Sequence, residues 1–223
     1  MLHCPVVKRL VIAVDGPSGA GKGTVARAAA HALGYQHVDT GAMYRAVARL
    51  ALDRGLPLES AGVVEIARDA RIDMANGVVC INGRDVTAAI RTPDIDKAAA
   101  VVARQPAVRE VLVERQRALG RDGGVVMEGR DIGTVVFPRA GLKVYLDASP
   151  DERARRRAAD AAHTGGQQGS VADIAEDLAA RDRSDSTRSV APLVCADDAV
   201  YIDTTGMPVE DVVARVLALA RDR

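Results

Sequence analysis

Residues 10–24 read LVIAVDGPSGAGKGT, in which a short apolar run is followed by a glycine-rich turn and then by Lys22. The apolar run at 9–15 is typical of a strand that is buried on both faces of a parallel sheet. The residues from Lys22 to Leu33 favour a helix, and Gly34 is a natural end for it. A strand, a glycine-rich turn and a helix in this order predict an α/β fold with a phosphate-binding loop.

The glycine-rich loop can bind phosphate groups because its backbone can curl with the N–H groups pointing inward. The helix N-terminus adds positive potential, and the Lys22 side chain can reach the terminal phosphates of a nucleoside triphosphate. The alternative is an ordinary glycine-rich turn between a strand and a helix. The residues predicted to contact the phosphates are Gly16, Pro17, Ser18, Gly19, Ala20, Gly21, Lys22, Gly23 and Thr24.

Strands and helices alternate along the rest of the chain, except near 71–87. The patterns predict further strands at 35–39, 124–129, 142–148 and 199–206, and helices at 40–55, 93–105, 106–121, 149–163, 171–185 and 208–223. Residues 71–87 hold two Asn-Gly pairs between short strand-like runs, which indicates a three-stranded antiparallel meander; the alternative is a long loop. The sequence therefore predicts a P-loop α/β core with a central parallel sheet flanked by helices, plus a small antiparallel insert. Ligands are expected at the carboxyl ends of the parallel strands.

The composition excludes several classes of protein and site. The formal net charge is zero, so nothing in the overall charge favours a nucleic-acid partner. The three Cys are widely spaced without a C-x-x-C pair, and the four His lack metal-ligand spacing, so we expect neither a disulfide framework nor a zinc site. No apolar run approaches the roughly 18 residues of a membrane span, so we expect no membrane partner and a cytoplasmic location.

Three polar side chains open the helix predicted after the strand at 35–39. Thr40 and Tyr44 are four residues apart and share a helix face, and Arg45 lies beside them. A hydroxyl, a phenol and a guanidinium at the end of a parallel strand could hold a nucleotide. The alternative is that Tyr44 packs in the core and Arg45 is a solvated surface charge.

Two further groups of charged residues are candidates for a ligand site. Arg130 and Asp131 directly follow a predicted buried strand, where ligands usually bind, although the pair could also be a surface ion pair. Arg181, Asp185 and Arg188 have the spacing i, i+4, i+7, so a continuing helix would place them on one face. A structural ladder of ion pairs would have the same spacing.

Four motifs carry a resemblance to a known family: GPSGAGKGT at 16–24, DTGAMYR at 39–45, EGRDIGTVVFP at 128–138 and RDRSDSTRSVAPL at 181–193. Together they resemble the bacterial cytidylate kinases, a branch of the P-loop nucleoside monophosphate kinases, over nearly the whole chain. The resemblance implies direct in-line transfer of the γ-phosphoryl group of ATP to CMP or dCMP with Mg²⁺, a reaction of pyrimidine nucleotide metabolism.

The resemblance also implies a role for individual residues. Binding of the acceptor nucleotide falls to Thr40, Tyr44, Arg45, Arg109, Arg130, Asp131, Arg181, Asp185 and Arg188. The catalytic set is Lys22, Arg153, Arg157 and Arg181. Asp131 as an acceptor for the cytosine amino group would favour cytosine over uracil, because a carboxylate repels a carbonyl oxygen.

The family organisation implies one kinase domain over residues 1–223, with a core, an acceptor-binding region and a mobile lid. The core is expected at 6–58 and 122–223, the acceptor region at 59–121 and the lid at about 152–175. The lid would carry arginines on either side of a polar, glycine-rich break at 164–170 and close over the triphosphate. The alternative for any single lid arginine is a solvated helix face.

The same residues bear on how Mg²⁺ is held and on which alternative functions remain open. Gly23 stands where the common motif has a hydroxyl that binds Mg²⁺, so we assign no protein ligand and expect phosphates and waters to hold the ion, with Thr24 as a candidate contact. One rival is a kinase for UMP, shikimate or dephospho-CoA. Others are a nucleotide-dependent binding module or a GTPase-type switch, for which the sequence has no N-K-x-D motif. We expect a monomer that binds ATP and CMP or dCMP.

Overall fold

The computed structural model describes residues 9–75, 77–160 and 170–223. The strands are β1 (Val11–Asp15), β2 (Gln36–Asp39), β3 (Ile72–Ala75), β4 (Val78–Ile81), β5 (Arg84–Asp85), β6 (Val125–Glu128), β7 (Leu142–Asp147) and β8 (Val200–Asp203). The helices are α1 (Lys22–Leu33), α2 (Thr40–Asp53), α3 (Ala61–Asp69), α4 (Pro93–Val102), α5 (Pro106–Leu119), α6 (Pro150–Ala159), α7 (Val171–Ser186) and α8 (Val209–Arg221).

The central sheet has the strand order β2-β6-β1-β7-β8, and every neighbouring pair is parallel. β1 lies in the middle and is apolar up to Asp15 because both of its faces are covered. Ile12 and Val14 pack in a core with α1 and α8, whereas Ala13 packs on the opposite face with α5. Since the strands run in one direction, the acidic residues that end them all lie at one edge of the sheet.

The insert is a separate three-stranded antiparallel sheet of order β3-β4-β5, as the two Asn-Gly pairs predict. In the second turn, Asn82 has φ 50° and Gly83 has φ 82°, the positive values that a two-residue hairpin requires. The first turn includes Asn76, which lies outside the described residues. The meander packs on α2, α3, α4 and α5 around a core that includes Ile66, Ile90 and Leu112.

The predicted fold class is confirmed, but three local features differ from the sequence patterns. Helix α3 was not predicted, and its first turn has no side-chain cap from Ser60. The helix predicted at 149–163 ends at Ala159, since Asp160 leaves the helical region with φ −83° and ψ 88°. Residues 132–136 form a short π-helical segment after β6.

Two sequence predictions fall partly or wholly outside the described residues. The last three residues of the helix predicted at 149–163 and all but Ser170 of the glycine-rich break at 164–170 lie there. Helix α7 begins directly after Ser170, whose side chain accepts a hydrogen bond from the backbone N–H of Asp173. Within the described residues, no helix is both long enough and apolar enough to cross a membrane.

Candidate active site

The glycine-rich loop between β1 and α1 has the backbone geometry of a phosphate cradle. Gly16, Gly19 and Gly21 have φ values of 142°, 82° and 87°, which side-chain-bearing residues rarely adopt. A Cβ atom on Gly16 would lie 1.9 Å from the carbonyl oxygen of Leu146 on β7, so glycine is required there by space as well as by conformation. The loop delivers the chain directly into the N-terminus of α1.

Lys22 is enclosed in the loop with only 7 % of its surface exposed. Its ammonium group donates a 2.6 Å hydrogen bond to the backbone carbonyl of Pro17. The pKa of Lys22 is lowered to about 7, mainly by burial and next by the guanidinium of Arg130, whereas the carboxylate of Glu128 acts in the opposite sense. Because its surroundings disfavour the positive charge of Lys22, a phosphate group that supplies negative charge would bind there favourably.

Gly23 faces a carboxylate that the sequence reasoning did not single out. A Cβ atom on Gly23 would lie 3.1 Å from Oε1 of Glu128, the last residue of β6. The same Oε1 lies 3.0 Å from Nε2 of His37, and the hydroxyl of Thr40 donates to the Glu128 backbone carbonyl at 2.7 Å. The space where the common motif carries a hydroxyl is therefore bounded by Glu128, which ends the strand next to β1.

A cavity of about 710 Å³ opens at the carboxyl ends of the strands and joins the loop to the predicted acceptor residues. One side is formed by the loop from Ser18 to Thr24. The remaining wall includes all nine predicted acceptor residues: Thr40, Tyr44, Arg45, Arg109, Arg130, Asp131, Arg181, Asp185 and Arg188. Residues that are far apart in sequence thus converge on one cavity with two differently built sides.

The predicted acceptor side holds several buried or partly buried ion pairs. Arg45 donates to Asp39 at 2.7 Å, Arg109 pairs with Asp131, and Arg130 donates to Asp185 at 2.9 Å. Arg45 is buried, which excludes the alternative of a solvated surface charge. Arg188 lies beyond the last residue of α7 and reaches Asp185 at 3.6 Å, so these residues do not form the continuous helical ladder considered from the spacing.

Tyr44 contributes a phenol beside these charges. The guanidinium carbon of Arg109 lies 5.7 Å from the centre of its ring. The Tyr44 hydroxyl is protonated at neutral pH, as an ordinary phenol is, and burial raises its pKa to about 12, so it remains a hydrogen-bond donor. Tyr44 thus combines a packing role with a polar group in the cavity wall.

The two predicted lid arginines have different positions. Arg157 on α6 lines the cavity. Arg153, on the same helix, lies behind the loop, where its guanidinium donates to the backbone carbonyl of Ser18 at 3.2 Å and pairs with Asp182 on α7. Its Cβ atom lies 2.9 Å from the Cβ position of Gly19, so Arg153 supports the loop from outside.

Asp96 on α4 is a buried residue of this site that the sequence reasoning missed. Its carboxylate pairs with Arg157 and lies 3.8 Å from Arg181 and 3.9 Å from Arg45. The pKa of Arg181 is lowered to about 10, mainly by burial and next by the neighbouring guanidinium of Arg130, while Asp96 counteracts both. No local pattern distinguishes Asp96 from the exposed Asp94, since only the fold brings the arginines to it.

Asp15 connects the glycine-rich loop to the segment that holds two of the predicted acceptor residues. Its carboxylate accepts hydrogen bonds from the backbone N–H groups of Ile132 at 2.8 Å and Gly133 at 2.7 Å. Burial raises the pKa of Asp15 to about 6, although these two hydrogen bonds lower it. The residue before the glycine-rich loop therefore fixes the turn that carries Arg130 and Asp131.

The described residues hold no cluster of three or more His, Cys, Asp or Glu side chains that could bind a metal ion by themselves. For a divalent cation beside bound phosphates, the protein offers Glu128 and Thr24 next to Gly23: Thr24 follows it in the chain, and Oε1 of Glu128 lies 3.1 Å from the position of its Cβ atom. This donor set fits Mg²⁺, which usually keeps several waters and binds through one or two carboxylates and phosphate oxygens.

Comparison with known proteins agrees with the motifs. The cytidylate kinase family model matches residues 12–222. The cytidylate kinase of Desulfitobacterium hafniense is 47 % identical over 97 % of this chain and 94 % of its own length, and that of Pelotomaculum thermopropionicum is 50 % identical over 93 % and 94 %. A bifunctional pantoate ligase/cytidylate kinase of Acaryochloris marina is 46 % identical over 96 % of this chain, which spans only 42 % of that longer protein.

Solved structures support the fold alone. Shikimate kinase from Acinetobacter baumannii in complex with shikimate aligns with a TM-score of 0.51 at 18 % identity, covering 96 % of this chain and 94 % of that one. A gluconokinase from Sinorhizobium meliloti aligns with a TM-score of 0.52 at 16 % identity, covering 96 % and 93 %. At this level of identity the likeness extends to the arrangement of strands and helices.

Proposed function

The chain belongs to the cytidylate kinase family, and on that premise we propose that it catalyses the ATP-dependent phosphorylation of CMP and dCMP to CDP and dCDP. It is a nucleoside monophosphate kinase with a P-loop. The observation that carries the proposal is the single cavity in which the glycine-rich loop faces a set of buried arginines and aspartates. A loop alone would indicate only a nucleoside triphosphate, whereas the second half of the cavity supplies a site for an anionic acceptor.

The loop and Lys22 hold the phosphates of ATP. Backbone N–H groups, the N-terminus of α1 and the ammonium group converge on them, and the bound phosphates restore the charge that burial makes costly for Lys22. Arg153 contributes by fixing the backbone of Ser18 and Gly19. Mg²⁺, when bound, neutralises phosphate charge; we assign it to phosphate oxygens and waters, with Glu128 and Thr24 as the protein groups beside it. A nucleotide–Mg²⁺ structure with Thr24 as a direct ligand would contradict this assignment.

The arginine and aspartate side chains of the opposite wall bind the acceptor nucleotide. Asp131, with Arg130 before it, reads the base by accepting a hydrogen bond from the cytosine amino group. Arg181 binds the acceptor phosphate, and Asp185 with Arg188 positions base and phosphate. Thr40, Tyr44, Arg45 and Arg109 complete this wall.

Transfer itself needs little covalent chemistry from the protein. The phosphate oxygen of the acceptor is already anionic near neutral pH, so no general base is required. The protein must place donor and acceptor in line, neutralise their charge and exclude water. Arg157 and Arg181 line the cavity, and Arg181 lies close enough to Lys22 to lower its pKa, so we assign these two guanidiniums to stabilisation of the transferred group.

The organisation of the domain is part of the proposal. Residues 59–121 form the acceptor-binding region, and a lid at about 152–175 closes when both nucleotides are bound, which suppresses ATP hydrolysis. Residues 161–169 of that lid lie outside the described residues. We further propose a monomer in the cytoplasm, and sedimentation analysis of the purified chain tests the monomer.

A panel of acceptors with ATP tests the function. We expect ADP formation with CMP and dCMP, much slower formation with UMP, and none above background with shikimate or dephospho-CoA. Equal or faster turnover of UMP would contradict base reading by Asp131. ATP binding without any CDP formation would instead indicate a binding module.

A further inference from the structure

Asp96 lies between arginines that belong to different parts of the site. Arg157 comes from α6, Arg181 from α7 and Arg45 from α2, whereas Asp96 is on α4 of the acceptor region. The Asp96 side chain is 8 % exposed, so solvent screens it only weakly from these guanidiniums. A single carboxylate thus occupies a place where positive charge converges from three helices.

These three guanidiniums also line the cavity that receives the nucleotides. Arg45 has a second carboxylate partner, Asp39, at 2.7 Å. Arg157 on α6 and Arg181 on α7 both face Asp96, and Arg181 also interacts electrostatically with Asp185. Asp96 therefore contacts guanidiniums that could otherwise bind a phosphate group.

We propose that Asp96 is an internal competitor for the acceptor phosphate: its carboxylate holds the guanidiniums of Arg157 and Arg181 until the nucleotide arrives, and so limits the affinity of the site for acceptor and product. The identity of the acceptor rests on the proposed function. The competition itself concerns any phosphate that reaches these arginines.

The Asp96 carboxylate lowers the affinity for phosphate whether or not it keeps its ion pairs when phosphate binds. If the carboxylate stays in place when phosphate binds, the two anions repel each other. If the guanidiniums turn to the phosphate, their ion pairs with Asp96 must first be broken. Removal of the charge at residue 96 therefore tightens phosphate binding in both cases, whereas removal of a residue that only orients the arginines would weaken it.

The variant Asp96→Asn tests the proposal, because the amide keeps the shape of the carboxyl group and removes its charge. The matched control is Asp94→Asn, which makes the same change at an exposed position in the first turn of the same helix. The dissociation constants of CMP and of inorganic phosphate are measured by titration calorimetry on the full chain without ATP. We expect both to fall in Asp96→Asn, for CMP about tenfold or ~1.4 kcal/mol, and both to change less than about twofold in the control.

A second variant and a second measurement cover the case in which Asp96→Asn does not fold. Asp96→Ser is expected to change affinity in the same direction. In either variant that folds, inorganic phosphate should raise the melting temperature by more than it does in the wild type. The inhibition constant of CDP should fall in parallel with the dissociation constant of CMP.

The outcomes separate this proposal from the proposed function. Unchanged or weaker binding of both ligands in the folded variants would overturn the competitor role of Asp96. Tighter binding of phosphate without tighter binding of CMP would overturn the assignment of Arg181 to the acceptor phosphate. Absence of CDP formation by the wild type would overturn the function and yet leave the phosphate titration a valid test of Asp96.

Discussion

Replacement of Asp131 by Asn is the sharpest test of how the site selects its base. Asp131 is 6 % exposed, lines the cavity and pairs with Arg109 through Oδ2. Asparagine has nearly the same shape but exchanges one carboxylate oxygen for an amide that donates hydrogen bonds. The variant can therefore no longer offer one anionic oxygen to Arg109 and the other to the cytosine amino group, and it can present a donor to the uracil carbonyl.

The size of the effect follows from the burial of this pair. A hydrogen bond to a charged group contributes about 1.5–3 kcal/mol, so kcat/KM for CMP should fall by roughly 10- to 150-fold. The value for UMP should hold or rise. Arg109, which is also buried, loses its anionic partner, so the free energy of unfolding should fall by about 3 kcal/mol.

Initial rates of ADP formation with CMP and with UMP give the ratio of the two kcat/KM values, and thermal unfolding shows that the variant is folded. Asp122→Asn changes an exposed carboxylate close in sequence and serves as the control. Burial raises the pKa of Asp131, so this carboxylate is protonated at a higher pH than an ordinary one. As the solution is acidified, the preference of the wild type for CMP should therefore begin to decline at that higher pH. A folded Asp131→Asn enzyme with an unchanged ratio would refute base reading by this residue.

Three other changes test the division of the site. Lys22→Ala should lose most of its activity and keep its melting temperature within a few degrees. In the wild type the pKa of Lys22 is lowered to about 7, so the protein should take up protons when ATP binds at pH 7.5, which calorimetry in buffers of different ionisation enthalpy measures. A binding enthalpy that does not depend on the buffer would contradict contact between Lys22 and the phosphates. Arg188→Ala should raise KM for CMP more than KM for ATP in steady-state kinetics, and the opposite ranking would contradict the assignment of Arg188. Gly16→Ala should reduce the free energy of unfolding by at least about 2 kcal/mol in denaturant titrations, because its Cβ would meet the Leu146 carbonyl oxygen at 1.9 Å; a neutral result would show that the loop can relax.

The sequence predicts most of the fold because the determining signals are local. The buried strand before the loop, the glycine at the end of α1 and the Asn82-Gly83 turn each act within a few residues. Helix α4 begins with Thr92 as its cap and Pro93 at the first helical position, both readable from the chain. The sequence predicts the elements that have such capping or turn residues at their ends with errors of only a few residues in length.

Features that depend on distant contacts could not be predicted in this way. The π-helical segment at 132–136 begins where Asp15, over a hundred residues earlier, accepts two backbone hydrogen bonds. Helix α3 lacks a side-chain cap and is stabilised by burial of Val63 and Ile66. Glu128 could have been singled out, since it opens the EGRD motif at a strand end, but its approach to Gly23 is a property of the assembled sheet.

The buried guanidiniums of this cavity must be accommodated by the fold before any nucleotide arrives. A guanidinium enclosed without a partner would destabilise the folded chain, and here Asp39, Asp131 and Asp185 each pair with an arginine of the acceptor wall. Asp131 and Asp185 repel the phosphates of an incoming nucleotide but, in the proposed mode of binding, also contact its base, whereas Asp39 has no assigned contact with the base. The repulsion lowers the affinity of the site for phosphate groups, and most strongly for the more highly charged diphosphate. A kinase that must release its product at every turnover thus gains from the same ion pairs that stabilise its empty fold.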